Sequence, residues 1–76
     1  MNNEIEIKIG KNIKLLREKS GLTQELLAAK LQINGCDITR SGLAKIEVGQ
    51  RHLYVDEIVL LKNILNVDYE DIFKLD

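Results

Sequence analysis

Residues 22–51, LTQELLAAKLQINGCDITRSGLAKIEVGQR, contain two short helical patterns separated by a connector rich in turn-forming residues. A threonine opens each pattern, Thr23 before the first and Thr39 before the second. Threonine is a favoured N-cap because its hydroxyl accepts a hydrogen bond from a backbone N–H that the first helical turn leaves unpaired. In the connector, Asn34-Gly35 is a strong turn dipeptide. The stretch therefore predicts a helix, a loop and a second helix.

The second helical pattern carries Arg40, Ser41 and Lys45 on its polar side. Two helices joined by a turn form the helix-turn-helix arrangement, in which one helix braces on the DNA backbone and the other enters the major groove. Arginine, serine and lysine side chains bond base edges and phosphates. We therefore predict a helix-turn-helix over about 23–48, with these three side chains as the candidates for reading double-stranded DNA.

Size and composition favour one small all-α domain over residues 1–76. Aliphatic and charged residues dominate, aromatic residues are few and proline is absent, which suits a helical bundle better than a sheet sandwich. One cysteine excludes an internal disulfide, and one histidine leaves no ligand set for zinc, so no metal or cofactor is predicted. No long apolar run and no signal-peptide start occur, so we expect a cytoplasmic protein without membrane contact.

Charge is distributed unevenly along the chain, although the net charge is only −1. Residues 1–55 contain nine Lys/Arg and six Asp/Glu, a balance of +3, whereas residues 56–76 contain two and six, a balance of −4. A local basic field can attract phosphate even when the total charge is slightly negative. The first part of the chain is therefore expected to bind DNA in a salt-sensitive way.

Apolar spacing predicts five helices. Ile9, Ile13 and Leu16 recur at helical spacing on one face of the first. The others are expected after Thr23, after Thr39, over about 55–65 with Asn66 at its left-handed end, and in a short segment capped by Asp68. The first helix is predicted at about 6–19, and the loop before the third helix at about 32–38. The third helix is predicted at about 40–48, and the last two helices together at about 55–74.

Four segments in order resemble the lambda-repressor/Cro-like helix-turn-helix family, also called the XRE family. They are GKNIKLLR at 10–17, GLTQE at 21–25, ITRSGLAKIEVGQR at 38–51, and the stretch 65–73 with Leu65, Val67, Ile72 and Phe73. Each segment alone is weak evidence, but four at compatible spacing are specific. The resemblance implies a compact five-helix DNA-binding domain in which the second and third helices form the helix-turn-helix.

The resemblance also implies roles for individual residues. Arg40, Ser41 and Lys45 would face base edges or flanking phosphates in the major groove. Three further residues, Gln24, Thr39 and Arg51, would bind phosphates. Arg17 and Glu47 match a family ion pair that ties the first helix to the end of the recognition helix, and such a pair fixes the angle between two helices more than it stabilises them.

The sequence departs from the family pattern in three places. The loop 32–38 is longer than the compact turn of the motif, Gly42 lies inside the recognition helix at a cost of about 1 kcal/mol relative to alanine, and Leu26 replaces a usual glutamate. We therefore assign Gly42 no side-chain contact and expect Leu26 to be an exposed apolar residue.

The fourth helix has more apolar residues than one core face requires: Val55, Val59, Leu60 and Ile64 accompany Ile58, Leu61 and Leu65. They could be additional core, or they could form a homodimer seam with Tyr69, Phe73 and Leu75. We predict a dimer whose surface includes Val59, Tyr69 and Phe73.

The predicted function is sequence-specific transcription regulation, as a repressor, by a homodimer spanning half-sites roughly 34 Å apart. The alternative is a protein-interaction module of the same fold, such as an antitoxin that binds a toxin through Leu26 and the last two helices. Scattered carboxylates and the lack of a glycine-rich phosphate loop argue against an enzyme.

Overall fold

A computed structural model describes residues 3–76, which fold into five helices without any strand in that range. The helices are α1 (Asn3–Lys19), α2 (Gln24–Ile33), α3 (Arg40–Glu47), α4 (Val55–Leu65) and α5 (Tyr69–Phe73). The predicted all-α, five-helix architecture is therefore confirmed. None of the helices in this part of the chain has the length and apolar content that crossing a bilayer requires.

The predicted N-caps form as expected at α2 and α3. Thr23 Oγ1 accepts a hydrogen bond from the Leu26 backbone N–H at 3.1 Å, and Thr39 Oγ1 accepts one from Gly42 at 3.0 Å. At α5, the Asp68 backbone N–H donates to Asp71 Oδ2 at 3.0 Å. Local sequence chemistry thus sets where three helices begin.

Two predicted boundaries are wrong by a few residues. Helix α1 already includes Asn3, the first residue that the structure describes, although it was predicted to begin near residue 6, and Glu4 and Glu6 in its first turn interact favourably with the helix dipole. Helix α2 continues through residues 32–33, which were predicted to be loop. Its end is set by Gly35, whose φ of 88° allows the Cys36 N–H to bond Leu31 O at 2.9 Å, so the helix runs up to the turn dipeptide.

The core draws apolar side chains from every helix. The largest fully buried side chains are Ile13, Leu27, Leu31, Leu43, Leu61 and Ile72. Helix α1 packs against α3 and α5, while α2 packs against α3 and α4. Because α3 lies between α1 and α2, its orientation is fixed from two sides, and its remaining face is left for solvent or a ligand.

Helices α1 and α3 approach closely at Gly10, which is buried. A Cβ atom built on Gly10 would overlap the carbonyl oxygen of Ile46 and lie 2.9 Å from that of Glu47. Only a hydrogen atom fits between the two backbones at this point. The family-like glycine of the first sequence segment therefore has a packing reason, which the sequence pattern alone did not reveal.

Candidate nucleic-acid interface

The outer face of α3 carries Arg40, Ser41 and Lys45, and all three side chains are exposed. At 3.6 residues per turn they lie within about 140° of one another around the helix. Leu43 and Ile46 are buried on the inner side and hold α3 against the core. The three predicted base-reading residues are therefore together on one accessible surface.

The longer loop before α3 leaves this surface uncovered. Cys36 and Ile38 are buried, and Gln32 Nε2 donates a hydrogen bond of 2.6 Å to the Ile38 carbonyl oxygen. These contacts fold the loop back on the core, so that Asn34 and Gly35 do not bury Arg40. The extra residues thus change the connection without obstructing the outer face of α3.

A shallow groove runs between the N-terminal ends of α2 and α3, with Thr23, Gln24, Glu25 and Arg40 in its lining. Free backbone N–H groups and the positive end of the helix dipole make a helix N-terminus favourable for a phosphate. Thr39, the N-cap of α3, is exposed, and its hydroxyl keeps a proton to donate while its oxygen caps the helix. This region contains two of the predicted phosphate-binding residues, Gln24 and Thr39.

Glu47 joins three helices through one buried carboxylate. Arg17 Nε and Nη2 donate to its two oxygens at 2.7 and 3.2 Å, and Gln24 Nε2 donates to Oε1 at 2.9 Å. Arg17 Nη1 also donates to the Leu22 carbonyl oxygen at 2.8 Å. The hydrogen bond to Glu47 raises the pKa of Arg17, against the opposing effect of burial. The network holds α1, α2 and α3 in a fixed arrangement and orients the Gln24 side chain.

Arg51 lies in a second ion pair that the sequence analysis missed. Its Nη1 and Nη2 donate to the two oxygens of Glu57 at 2.9 Å each, and its guanidinium lies 5.2 Å from the centre of the Tyr54 ring. Nη1 also donates to the His52 carbonyl oxygen. Arg51 therefore faces α4, and only Nε and one proton of Nη2 are left for a phosphate.

Glu57 is only 5% exposed and accepts further hydrogen bonds, from the Tyr54 backbone N–H at 2.9 Å and from Cys36 Sγ at 3.8 Å. Burial raises its pKa, but the bonds from Arg51 and Tyr54 outweigh burial and leave the pKa below its ordinary value. Burial, followed by the charge of Glu57, raises the pKa of the Cys36 thiol. A glutamate three residues into a helix is a capping signal that could have indicated this site.

The sequence matches the family model described as Helix-turn-helix over residues 13–72, which is most of the chain. The chain belongs to this family. It is 32% identical over 73 residues to the control protein C.BamHI of Bacillus amyloliquefaciens, covering 95% of this chain and 84% of the relative. It is also similar to the solved structure of the restriction-modification controller protein C.AhdI of Aeromonas hydrophila, with a TM-score of 0.76 and 30% identity over 88% of this chain and 90% of that one.

These comparisons confirm the lambda-repressor-like fold predicted from the sequence. A helix-turn-helix is a DNA-binding arrangement rather than an enzyme fold, and both relatives are named as control proteins. Within residues 3–76, no group of three His, Cys, Asp or Glu side chains could hold a metal ion.

The apolar residues of the last two helices divide into two sets. Leu60 and Ile64 are half-buried and pack against the core. These two residues are therefore additional core, as the first of the two interpretations predicts. Val59, Tyr69 and Phe73 remain 40%, 44% and 43% exposed. The predicted dimer residues of this helix-turn-helix protein are thus available for contact, and Val55, about one helical turn before Val59, is exposed as well.

Glu57→Gln is expected to remove a pH-dependent part of the stability. Because the pKa of Glu57 is lower in the folded protein, its charge stabilises the fold above the ordinary pKa of about 4.3, and the contribution is lost as pH falls through the folded-state value. The substitution should lower the free energy of unfolding by about 2 kcal/mol at neutral pH, and the difference from the wild type should shrink in acid.

Urea denaturation of both proteins at neutral and acid pH measures this difference. Glu70→Gln, which changes an exposed carboxylate, is the control and should change stability little at either pH. If the difference in free energy of unfolding between the wild type and Glu57→Gln stayed constant as the pH fell, the charge of Glu57 would not contribute to stability.

Proposed function

We propose that this chain is a sequence-specific regulator of transcription that binds double-stranded DNA and acts as a repressor. The observation that carries the proposal is the exposure of Arg40, Ser41 and Lys45 on α3, a helix whose inner side is held by the buried pair Arg17 and Glu47. One relative is titled a control protein and the other a restriction-modification controller protein, which supports a role in controlling such genes. The protein would act in the cytoplasm, where bacterial DNA lies.

Direct readout by α3 fits the chemistry of its exposed side chains. Arg40, in the first turn, can give two parallel hydrogen bonds to guanine O6 and N7, the commonest specific contact in the major groove. Ser41 and Lys45 would bond bases or the phosphates beside them. Gln24 and Thr39 would bind phosphates at the helix N-termini, and Arg51 would add a weaker contact through the N–H groups that Glu57 leaves free.

A homodimer would place two copies of α3 on half-sites about 34 Å apart. Val59, Tyr69 and Phe73 support this arrangement because each is an apolar residue that stays at least 40% exposed on the last two helices, and exposed apolar side chains are favoured in interfaces. The alternative of a toxin-binding module gains no support from the relatives. The observations that remain for it are the exposure of Leu26 and of the same apolar residues on the last two helices.

Selection of bound duplexes from a random pool tests the function. We expect an enriched sequence with two inverted half-sites, centred one helical turn apart. Binding to the selected duplex should weaken steeply as the salt concentration rises, because bound phosphates release counterions. A pool without enrichment would overturn sequence-specific binding and leave a protein contact as the function.

Arg40→Ala is expected to weaken binding to the selected duplex by about 5- to 150-fold per half-site, because a bidentate contact contributes about 1–3 kcal/mol. The thermal midpoint should change little, since the side chain is exposed. Titration and thermal melting measure the two effects. Lys14→Ala removes one exposed positive charge outside the helix-turn-helix and is the control. Equal losses of affinity in the two variants would contradict base reading by Arg40.

A further inference from the structure

Helix α5 ends in hydrogen bonds from side chains of α1. Asn12 Nδ2 donates to the carbonyl oxygens of Ile72 and Lys74, at 2.9 and 2.7 Å. Lys8 Nζ donates to the carbonyl oxygen of Leu75 at 2.9 Å. The first helix of the chain therefore holds the C-terminal end of the last one, across a sequence separation of 60 residues or more.

These bonds replace a cap that α5 does not have within its own sequence. The last carbonyl groups of a helix have no intrahelical partner, and a helix of only five residues cannot sustain itself in water. Ile72, which is fully buried, anchors the inner side of α5 to the core. The position of the outer side of α5 then depends on the hydrogen bonds that α1 donates to its backbone.

Asn12 holds that backbone on both sides of Phe73. Its two acceptors belong to the residues immediately before and after Phe73, so the Phe73 backbone is fixed between two hydrogen bonds to one amide group. Phe73 itself is 43% exposed, as is Leu75. A partly exposed aromatic ring on a fixed backbone loses little conformational freedom when it is buried by a partner.

We propose that Asn12 is a positioning residue for the interface with a second copy of this chain, acting through Phe73. The inference rests on the proposed homodimer and goes beyond it, because Asn12 lies on α1 and would contact the partner only through the backbone it holds. The position of Phe73 in the proposed dimer surface then depends on the Asn12 amide of α1. Helix α1 itself contributes no apolar residue to that surface, which consists of Val59, Tyr69 and Phe73.

The test uses Asn12→Asp, which has nearly the same shape but cannot donate a hydrogen bond when ionised. Sedimentation equilibrium of the full chain should show a dimer dissociation constant raised about tenfold. Lys14→Ala changes a polar side chain of α1 that is exposed and should leave the constant unchanged. Thermal melting of each variant at a concentration below its dissociation constant should still show a cooperative unfolding transition, with the Asn12→Asp midpoint lowered by about 4–8 °C because two hydrogen bonds to α5 are lost. A general loss of folding would abolish the transition.

A double-mutant cycle with Phe73→Ala tests whether Asn12 acts through Phe73. Phe73→Ala should weaken the dimer more strongly than Asn12→Asp, and the double variant should be no weaker than Phe73→Ala alone. Additive effects, or an Asn12→Asp dimer as tight as the wild type, would overturn the positioning role. A wild-type chain that stayed monomeric at high micromolar concentration would instead overturn the homodimer itself, so the two failures are distinguishable.

Discussion

Glu47→Ala should lower the free energy of unfolding by about 3–5 kcal/mol. The substitution would leave the Arg17 guanidinium buried without its carboxylate, and the Gln24 amide would lose its acceptor as well. An uncompensated buried charge is far more costly than the net gain from forming the pair. Domain stabilities are about 5–15 kcal/mol, so at the lower end of that range the loss would leave almost no net stability.

Urea denaturation at neutral pH gives the free energy of unfolding for this comparison. Glu18→Ala removes an exposed carboxylate from α1 and should change stability by no more than about 0.5 kcal/mol. Arg40→Ala should also be nearly neutral in this assay, although it is expected to reduce DNA affinity most. If Glu47→Ala and Glu18→Ala had equal stability, the network around Glu47 would not be structural.

Gly10→Ala is the second substitution with a large expected effect, a destabilisation of about 3 kcal/mol. The added methyl group would overlap the Ile46 carbonyl oxygen and crowd that of Glu47. Both obstacles are backbone atoms of α3, which cannot turn aside as a flexible side chain can. The helices would have to separate, and separation would also disturb the bonds between Arg17 and Glu47.

Gly42→Ala is the matched control, since Gly42 also lies inside a helix. A Cβ atom there would meet Ile38 Cγ1 at 3.3 Å, a side-chain atom that can move slightly. The gain in helix propensity of about 1 kcal/mol should offset this contact, so that the urea midpoint hardly changes. Similar destabilisation by both substitutions would mean that the loss at Gly10 does not come from the close approach of α1 and α3.

Features set by neighbouring residues were predictable from the sequence. The caps at Thr23 and Thr39 and the left-handed Asn66, with a φ of 55°, follow from side chains within a few positions of each helix end. The exposed face of α3 follows from its apolar spacing. Boundaries were less certain, because α2 continues until a left-handed glycine stops it and not until its apolar periodicity fades.

Features set by distant residues were not predictable from periodicity. The contact of Arg17 with Glu47 was expected only because the chain resembles a family that has this pair. The contact of Arg51 with Glu57 was missed. Charged residues six positions apart are expected to be solvated, and nothing in the sequence indicates that the connector folds onto α4 and buries the Glu57 carboxylate. The bonds from Asn12 to the end of α5 likewise depend on how α1 and α5 meet in space.

The outer side chains of α3 have a consequence for how such regulators diverge. Within residues 3–76, no hydrogen bond or ion pair joins the side chains of Arg40, Ser41 or Lys45 to the rest of the fold. Glu47, on the same helix, accepts hydrogen bonds from both Arg17 and Gln24. Mutations at the three outer positions therefore cost the domain little stability. If these side chains read the target as proposed, a duplicated gene could acquire a new target site by changing them while the helices beneath stay the same.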